Sequence, residues 1–198
     1  MEKYYTIDIT FITPVLGGQP SETITTDYVV GKSGLEVPDD ELETIPDTLD
    51  KRTTGFHRDD NDNVLLYNYV LKGFMKAAAF ALNGRDGMPK AFRSKIGKYV
   101  FVYPRVSAFT HPGTKGVWNL IDIHERPVRT QTPYGEKVAL ARSEMLPEST
   151  GIRFSVCVVA DGVSEDQLRA IFDYGFHHGI GPRRGDGFGS FRYELKAE

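Results

Sequence analysis

The stretch HHGIGPRRGDGFG, from His177 to Gly189, combines two adjacent histidines, two adjacent arginines and five glycines. Gly179, Gly181, Gly185, Gly187 and Gly189 lack Cβ atoms, so their backbone can lie flat against a ligand and present N–H groups to it. Arg183 and Arg184 add permanently charged, bidentate donors. Together these suit phosphates spaced along a strand of nucleic acid. The same residues also fit a helix C-cap followed by a tight glycine turn with surface arginines, and the stretch alone does not choose between the two. Two nucleotide motifs fail on spacing and order. A dinucleotide fingerprint needs G-x-G-x-x-G between a strand and a helix, whereas Gly179, Gly181 and Gly185 have one residue too many and follow a helical pattern. A P-loop needs the same element order and a Gly-Lys-Ser/Thr ending, which this stretch lacks. His57, His111, His124, His177 and His178 share no zinc-type spacing with one another or with Cys157, the single cysteine, so neither a metal nor a cofactor is expected.

The elements that must position this loop follow from hydrophobic periodicity. YYTIDITFI alternates, with Tyr5, Ile7, Ile9 and Phe11 on one face, which predicts a half-buried first strand. Asn68 to Asn83 places Leu71, Met75, Ala78 and Leu82 on one helical face, and Asn83-Gly84 supplies a stop. Lys98 to Val106 and Ile152 to Ala160 read as strands dense in β-branched and aromatic residues. A second helix opens at Ser164, the expected N-cap, and carries Leu168, Ile171 and Phe172 as its apolar stripe. SFRYEL closes the chain as a strand, and Phe154 and Val156 join the expected core.

The order is β-α-β-β-α-β. This predicts an α+β, ferredoxin-like (RRM-like) fold with an antiparallel sheet and two helices on one face. One domain is expected over residues 1–198, interrupted by insertions at about 14–63 and 107–151. The second insertion contains VWNLIDIHERPVRTQ, whose alternation suggests a projecting hairpin that carries Arg126 and Arg129 toward a partner or RNA.

With 40% hydrophobic and 26% charged residues, the 198-residue chain has the composition of an ordinary globular protein. No apolar run is long enough to span a membrane and no secretory leader is evident, so a cytoplasmic location is expected. A net charge of −3 argues against bulk coating of nucleic acid, but the charge is uneven. Glu36 to Asp50 holds seven acids and no base, while Pro89 to Lys98 and the Arg183-Arg184 loop are basic.

FHHGIGPRRGDGFGSFRYEL resembles the C-terminal glycine-rich signature of the RAMP superfamily, the ferredoxin-fold RNA-binding proteins of CRISPR systems. Gly187-Phe188-Gly189 supplies the Gly-Phe/Tyr-Gly ending that leads into a strand. YVLKGFMKAAA is similar to that family's Lys-Gly-x-x-Arg/Lys segment, with Lys72, Gly73 and Lys76 at the matching positions. Two departures mark the chain as a compact or divergent member: Tyr67-Asn68-Tyr69-Val70 replaces the usual Pro-Gly-Ser-Ser approach, and the family's backbone subunits are usually longer.

The resemblance implies a protein that grips single-stranded RNA, such as a guide RNA, beside other subunits of a ribonucleoprotein complex or copies of itself. Lys72 and Lys76 would complete a phosphate groove with the glycine loop, and His177 and His178 would support the phosphate contact. It also admits a metal-independent endoribonuclease, for which His57 is the candidate acid or base, with Asp27 as a weaker candidate in a metal-dependent variant. A third possibility is a non-catalytic protein that joins or blocks such a complex, with the acidic Glu36 to Asp50 segment as its contact.

Overall fold

The computed structural model describes residues 2–19, 53–85, 87–112, 116–118, 121–132 and 135–198. In chain order these form β1 (Glu2–Phe11), β2 (Val15–Leu16), β3 (Thr53–Thr54), β4 (His57–Arg58), β5 (Val64–Tyr67), α1 (Asn68–Ala81) and α2 (Phe92–Tyr99). There follow β6 (Val100–Tyr103), β7 (Val106–Thr110), β8 (Asp122–Thr132), β9 (Gly135–Leu146), β10 (Gly151–Val159), α3 (Glu165–His178) and β11 (Phe191–Ala197). Asp27 and the acidic Glu36 to Asp50 segment lie outside the described residues.

The main sheet runs β11-β1-β10-β7-β5-β4, with β6 also paired to β10. All of its pairings are antiparallel, so the fold is α+β with an antiparallel sheet, as the periodicity predicts. β1 lies inside it, with Ile7 opposite Phe154 on one side and Leu195 on the other. Its inward residues Tyr5, Ile7, Ile9 and Phe11 are at most 4% exposed. Leu71, Phe154, Val156, Leu168 and Phe172 are buried with them, whereas Leu82 is only partly covered because α1 ends before it. α1 and α3 meet through Phe74 and Phe172, whose ring centroids are 6.2 Å apart.

Three expectations change. The single strand expected over Lys98 to Val106 is instead the end of α2 followed by β6 and β7. α2 itself was hidden because its burial rests on only Phe92 and Ile96, one helical turn apart among basic residues. The Asn83 side chain, at the expected helix stop, accepts the Phe92 N–H at 3.0 Å and so ties the end of α1 to the start of α2. Among the described residues there are therefore three α-helices rather than two. Both segments read as insertions also feed the core: Val15, Leu16, Phe109 and Leu146 are each at most 1% exposed. The hairpin is real, β8 pairing with β9 along its whole length, but the far end of β9 pairs with β2 and β3 in a second small sheet.

α3 begins with a capping box, Ser164 Oγ accepting the Gln167 N–H at 3.2 Å while Gln167 Oε1 accepts the Ser164 N–H at 3.1 Å. Three turns on, Gly175 is buried against the ring of Phe191, leaving no room for a Cβ. This close approach seats α3 on β11. Gly175→Ala should therefore overpack the core and lower unfolding stability by about 1–3 kcal/mol, read from the denaturant midpoint. An unchanged midpoint would show that Phe191 can move aside.

Candidate functional site

α3 delivers the glycine-rich loop, and the loop is pinched where it begins and ends. Gly179 caps the helix at φ +72°, and a Cβ there would stand 2.5 Å from the Phe188 carbonyl oxygen. Across the neck the Ile180 N–H donates to the Gly189 carbonyl at 2.8 Å, and the Gly189 N–H donates to that of Pro14 at 2.9 Å. A Cβ on Gly189, itself at φ +74°, would overlap the Ile180 carbonyl. Ile180 is 1% exposed and anchors the neck in the core. Gly179 and Gly189 thus serve the protein's own closure, not a ligand. The reading as a helix cap and tight turn therefore holds at the neck.

Beyond the neck the loop opens. Among the described residues Gly185 and Gly187 have no heavy atom within 4 Å of a Cβ placed there, and a 3₁₀ turn over Arg184–Asp186 forms the tip. Arg183 adopts a left-handed conformation at φ +56°, which is uncommon for a non-glycine residue. One of its terminal guanidinium nitrogens, Nη1, is enclosed without a hydrogen-bond partner among the described residues. Arg184 donates to His178 Nε2 at 3.0 Å, while His177 is exposed beside Phe176.

Ile180, Gly181, Pro182 and Arg184 form one wall of a cleft of about 480 Å³. The facing wall is α1, through Tyr69, Val70, Gly73 and Ala77, and the floor includes Leu16 and Gly55 to His57. Glu144 of β9 fixes that floor, accepting the Phe56 N–H at 2.7 Å and the Arg58 guanidinium at 3.1 Å. His57 Nε2 lies 3.2 Å from the Tyr69 hydroxyl, so the histidine sits in the cleft against α1.

Gly73 is the least expected lining residue. A mid-helix glycine costs roughly 0.5–1 kcal/mol relative to alanine. Here neither a positive φ nor close packing among the described residues requires it, because none of their heavy atoms lies within 4 Å of a Cβ placed there. The open position lets a ligand approach the helix closely.

The lysines expected to complete this groove stand elsewhere. Lys72 donates to the carbonyls of Ile96, at 2.6 Å, and Val100, so it caps the C-terminal end of α2. Burial, with Lys76 adding repulsion, brings its ammonium down to about 8. Lys76 also faces α2. Arg126 pairs with Asp186 of the loop at 2.6 Å, while the His124 ring packs beside that of Phe188, their centroids 4.9 Å apart. These two contacts dock the hairpin on the loop. Arg129 is exposed on β8, opposite Val138. Tyr69, Gly55, Asp186 and Phe188 were not expected as site residues. Of these Phe188 stood inside the loop signature, and Tyr69 carried a signal as a large aromatic on the polar side of α1.

Among the described residues no group of three or more His, Cys, Asp or Glu could hold a metal ion, and no helix is long and apolar enough to cross a membrane. No family model and no curated protein matches the chain. Among solved structures it is similar to a chain of the "Cryo-EM structure of the Type III-B Cmr-beta bound to cognate target RNA", with 13% identity and a TM-score of 0.54. The match covers 99% of this chain and 60% of that one, so this chain spans well under two thirds of its neighbour's length. At that identity the likeness is one of fold.

The His178–Arg184 contact has a definite pH dependence. Burial first, and Arg184 second, hold the His178 imidazole below its ordinary 6.5. The neutral ring accepts the Arg184 N–H, and the protonated ring cannot. As pH falls the unfolded chain takes up this proton first, so the stabilisation is present above about 6.5 and is lost below it. An NMR titration should place the His178 midpoint below 6.5, and Arg184→Ala should return it only part of the way, because burial remains. A midpoint at or above the ordinary value would contradict this account.

Proposed function

We propose that the chain is an RNA-binding subunit of a CRISPR-type ribonucleoprotein complex, built on a ferredoxin-like frame and related to the RAMP superfamily. It grips the backbone of single-stranded RNA, guide RNA being the leading candidate, in the cleft between the glycine-rich loop and α1. The observation that carries the reading is the convergence of Gly181 and Arg184 with Gly73 in one cleft. The two segments with family resemblance lie more than 100 residues apart in sequence, yet they face each other across it. The strand order β11-β1-β10-β6 supports the ferredoxin-like assignment, with β7, β5 and β4 extending the sheet. The solved neighbour, a chain of a Cmr complex bound to target RNA, supports the partner class.

Arg184 and Arg183 supply the charge and Gly181 the close backbone approach. Arg183→Ala/Arg184→Ala should weaken binding to all RNA sequences and lower the log–log salt slope by up to about 1.4, about 0.7 per phosphate contact on a single strand. Gly73 gives a sharper test because stability and binding should move in opposite directions. Gly73→Ala should raise stability by about 0.5–1 kcal/mol in thermal melts, while Gly73→Met, filling the cleft, should weaken RNA binding without unfolding the protein. If Gly73→Met binds as wild type, the cleft does not hold RNA.

A second reading, an endoribonuclease of the same fold, is favoured by one observation. His57 lies in the cleft with Tyr69 at 3.2 Å, and Arg184 is on the opposite wall. The imidazole would act as general acid or base for attack of a 2′-hydroxyl on the adjacent phosphate, and Arg184 would offset the developing charge. Incubation of a hairpin RNA with chelator present should then give cleavage that His57→Ala removes while binding persists. No cleavage by the wild type would leave the binding role alone.

A further inference from the structure

The face of α1 that lines the cleft continues past it. Tyr69, Gly73, Lys76 and Phe80 recur at spacings of four, three and four residues, along about 16 Å of one helix face. Tyr69 is 58% exposed and Phe80 68% exposed. At the Phe80 end, α1 and α2 enclose a groove of about 520 Å³ lined by Lys76, Phe80, Asn83, Arg93, Ser94 and Lys98. Among the described residues no carboxylate lines it, and Lys76, Arg93 and Lys98 have no ion-pair partner.

The charge around this groove is segregated. From Asn68 to Arg105 the sequence holds eight Lys or Arg and one acid, Asp86, in a chain whose net charge is −3. Gathering like charges without counterions works against the compact state. Nothing in the packing of α2 requires these cations, since its buried residues are Phe92 and Ile96. The Arg93 guanidinium lies 5.9 Å from the Phe80 ring centroid. An exposed flat ring beside a guanidinium offers two surfaces on which a base can stack, and the lysines beside them offer contacts to phosphates. An acidic peptide would satisfy the lysines but would make no use of the ring.

We propose that the α1–α2 groove is a second single-stranded RNA site, which stacks a base on Phe80 and holds the flanking phosphates with Lys76, Arg93 and Lys98. It extends the RNA-binding reading of the cleft along the same face of α1. The two sites can be tested separately, because no groove cation lines the cleft.

The test is fluorescence anisotropy of the full chain with a labelled oligouridylate over a salt series. Phe80→Ala should weaken binding about fivefold or more, the range for loss of one stacked base. Arg93→Ala/Lys98→Ala should lower the salt slope by up to about 1.4. Both variants change exposed side chains and leave Phe92 and Ile96 intact, so their thermal melts should match the wild type. Wild-type affinity and slope in both variants would overturn the groove, even if Gly73→Met weakens binding. Loss of binding in the groove variants with no effect of Gly73→Met would uphold the groove and remove the cleft. A polyglutamate peptide that displaces the probe as well as unlabelled RNA of equal charge would also overturn it, by showing a generic anion surface.

Discussion

The arrangement depends on the pinched neck of the glycine-rich loop. A helix and a strand that both pack on the same core must be joined by a chain that leaves the body and returns. Here it leaves and returns through a gap one backbone wide. The Ile180 N–H to Gly189 carbonyl bond at 2.8 Å closes that gap, and it can form only because neither Gly179 nor Gly189 carries a Cβ. Buried Ile180 then sets the direction of the loop, and Gly181 to Arg184 fall against α1 as a consequence. An L-residue at Gly189 would clash with the Ile180 carbonyl and also hold a strained φ. The wall of the cleft would move with it.

α1 is where the fold and the site meet. Its inner face, Leu71, Phe74, Met75 and Ala78, is buried and fixes the helix against the sheet and α3. Its outer face is left for aromatic and small residues. The glycines of the two helices show the contrast. Gly175 in α3 is filled against by Phe191, so it belongs to packing, whereas Gly73 in α1 faces open space. Lys72, between these faces, joins α1 to α2 by donating to carbonyls at the end of α2. α2 thereby brings its cations to the edge of α1.

The β8–β9 hairpin braces the site from a third direction. Arg126 holds Asp186 and His124 packs on Phe188, so the tip of the loop is tied to one strand. Glu144 on the other strand organises Phe56 and Arg58 at the floor of the cleft. One antiparallel ribbon therefore touches two walls of the site. The Arg126–Asp186 pair is largely exposed, so by itself it adds at most about 1 kcal/mol. Its effect is to fix position.

The sequence by itself determined the elements whose burial is periodic. β1, β10, β11, α1 and α3 each repeat apolar residues at spacing two or at three and four, and that repetition needs no knowledge of neighbours. Its family resemblance also linked the glycine-rich loop with the Lys-Gly segment. Only the tertiary structure decided what each residue in them does. α2 buries two side chains and β5 is four residues long, too few to show a period, so both form because the surrounding core accepts them. Glycine permits a close approach without saying whether protein or ligand makes it: Gly179 and Gly189 face the protein, Gly73 open space. A long cation can likewise turn to either side of its helix, and Lys72 turns to α2 because the carbonyls there need donors.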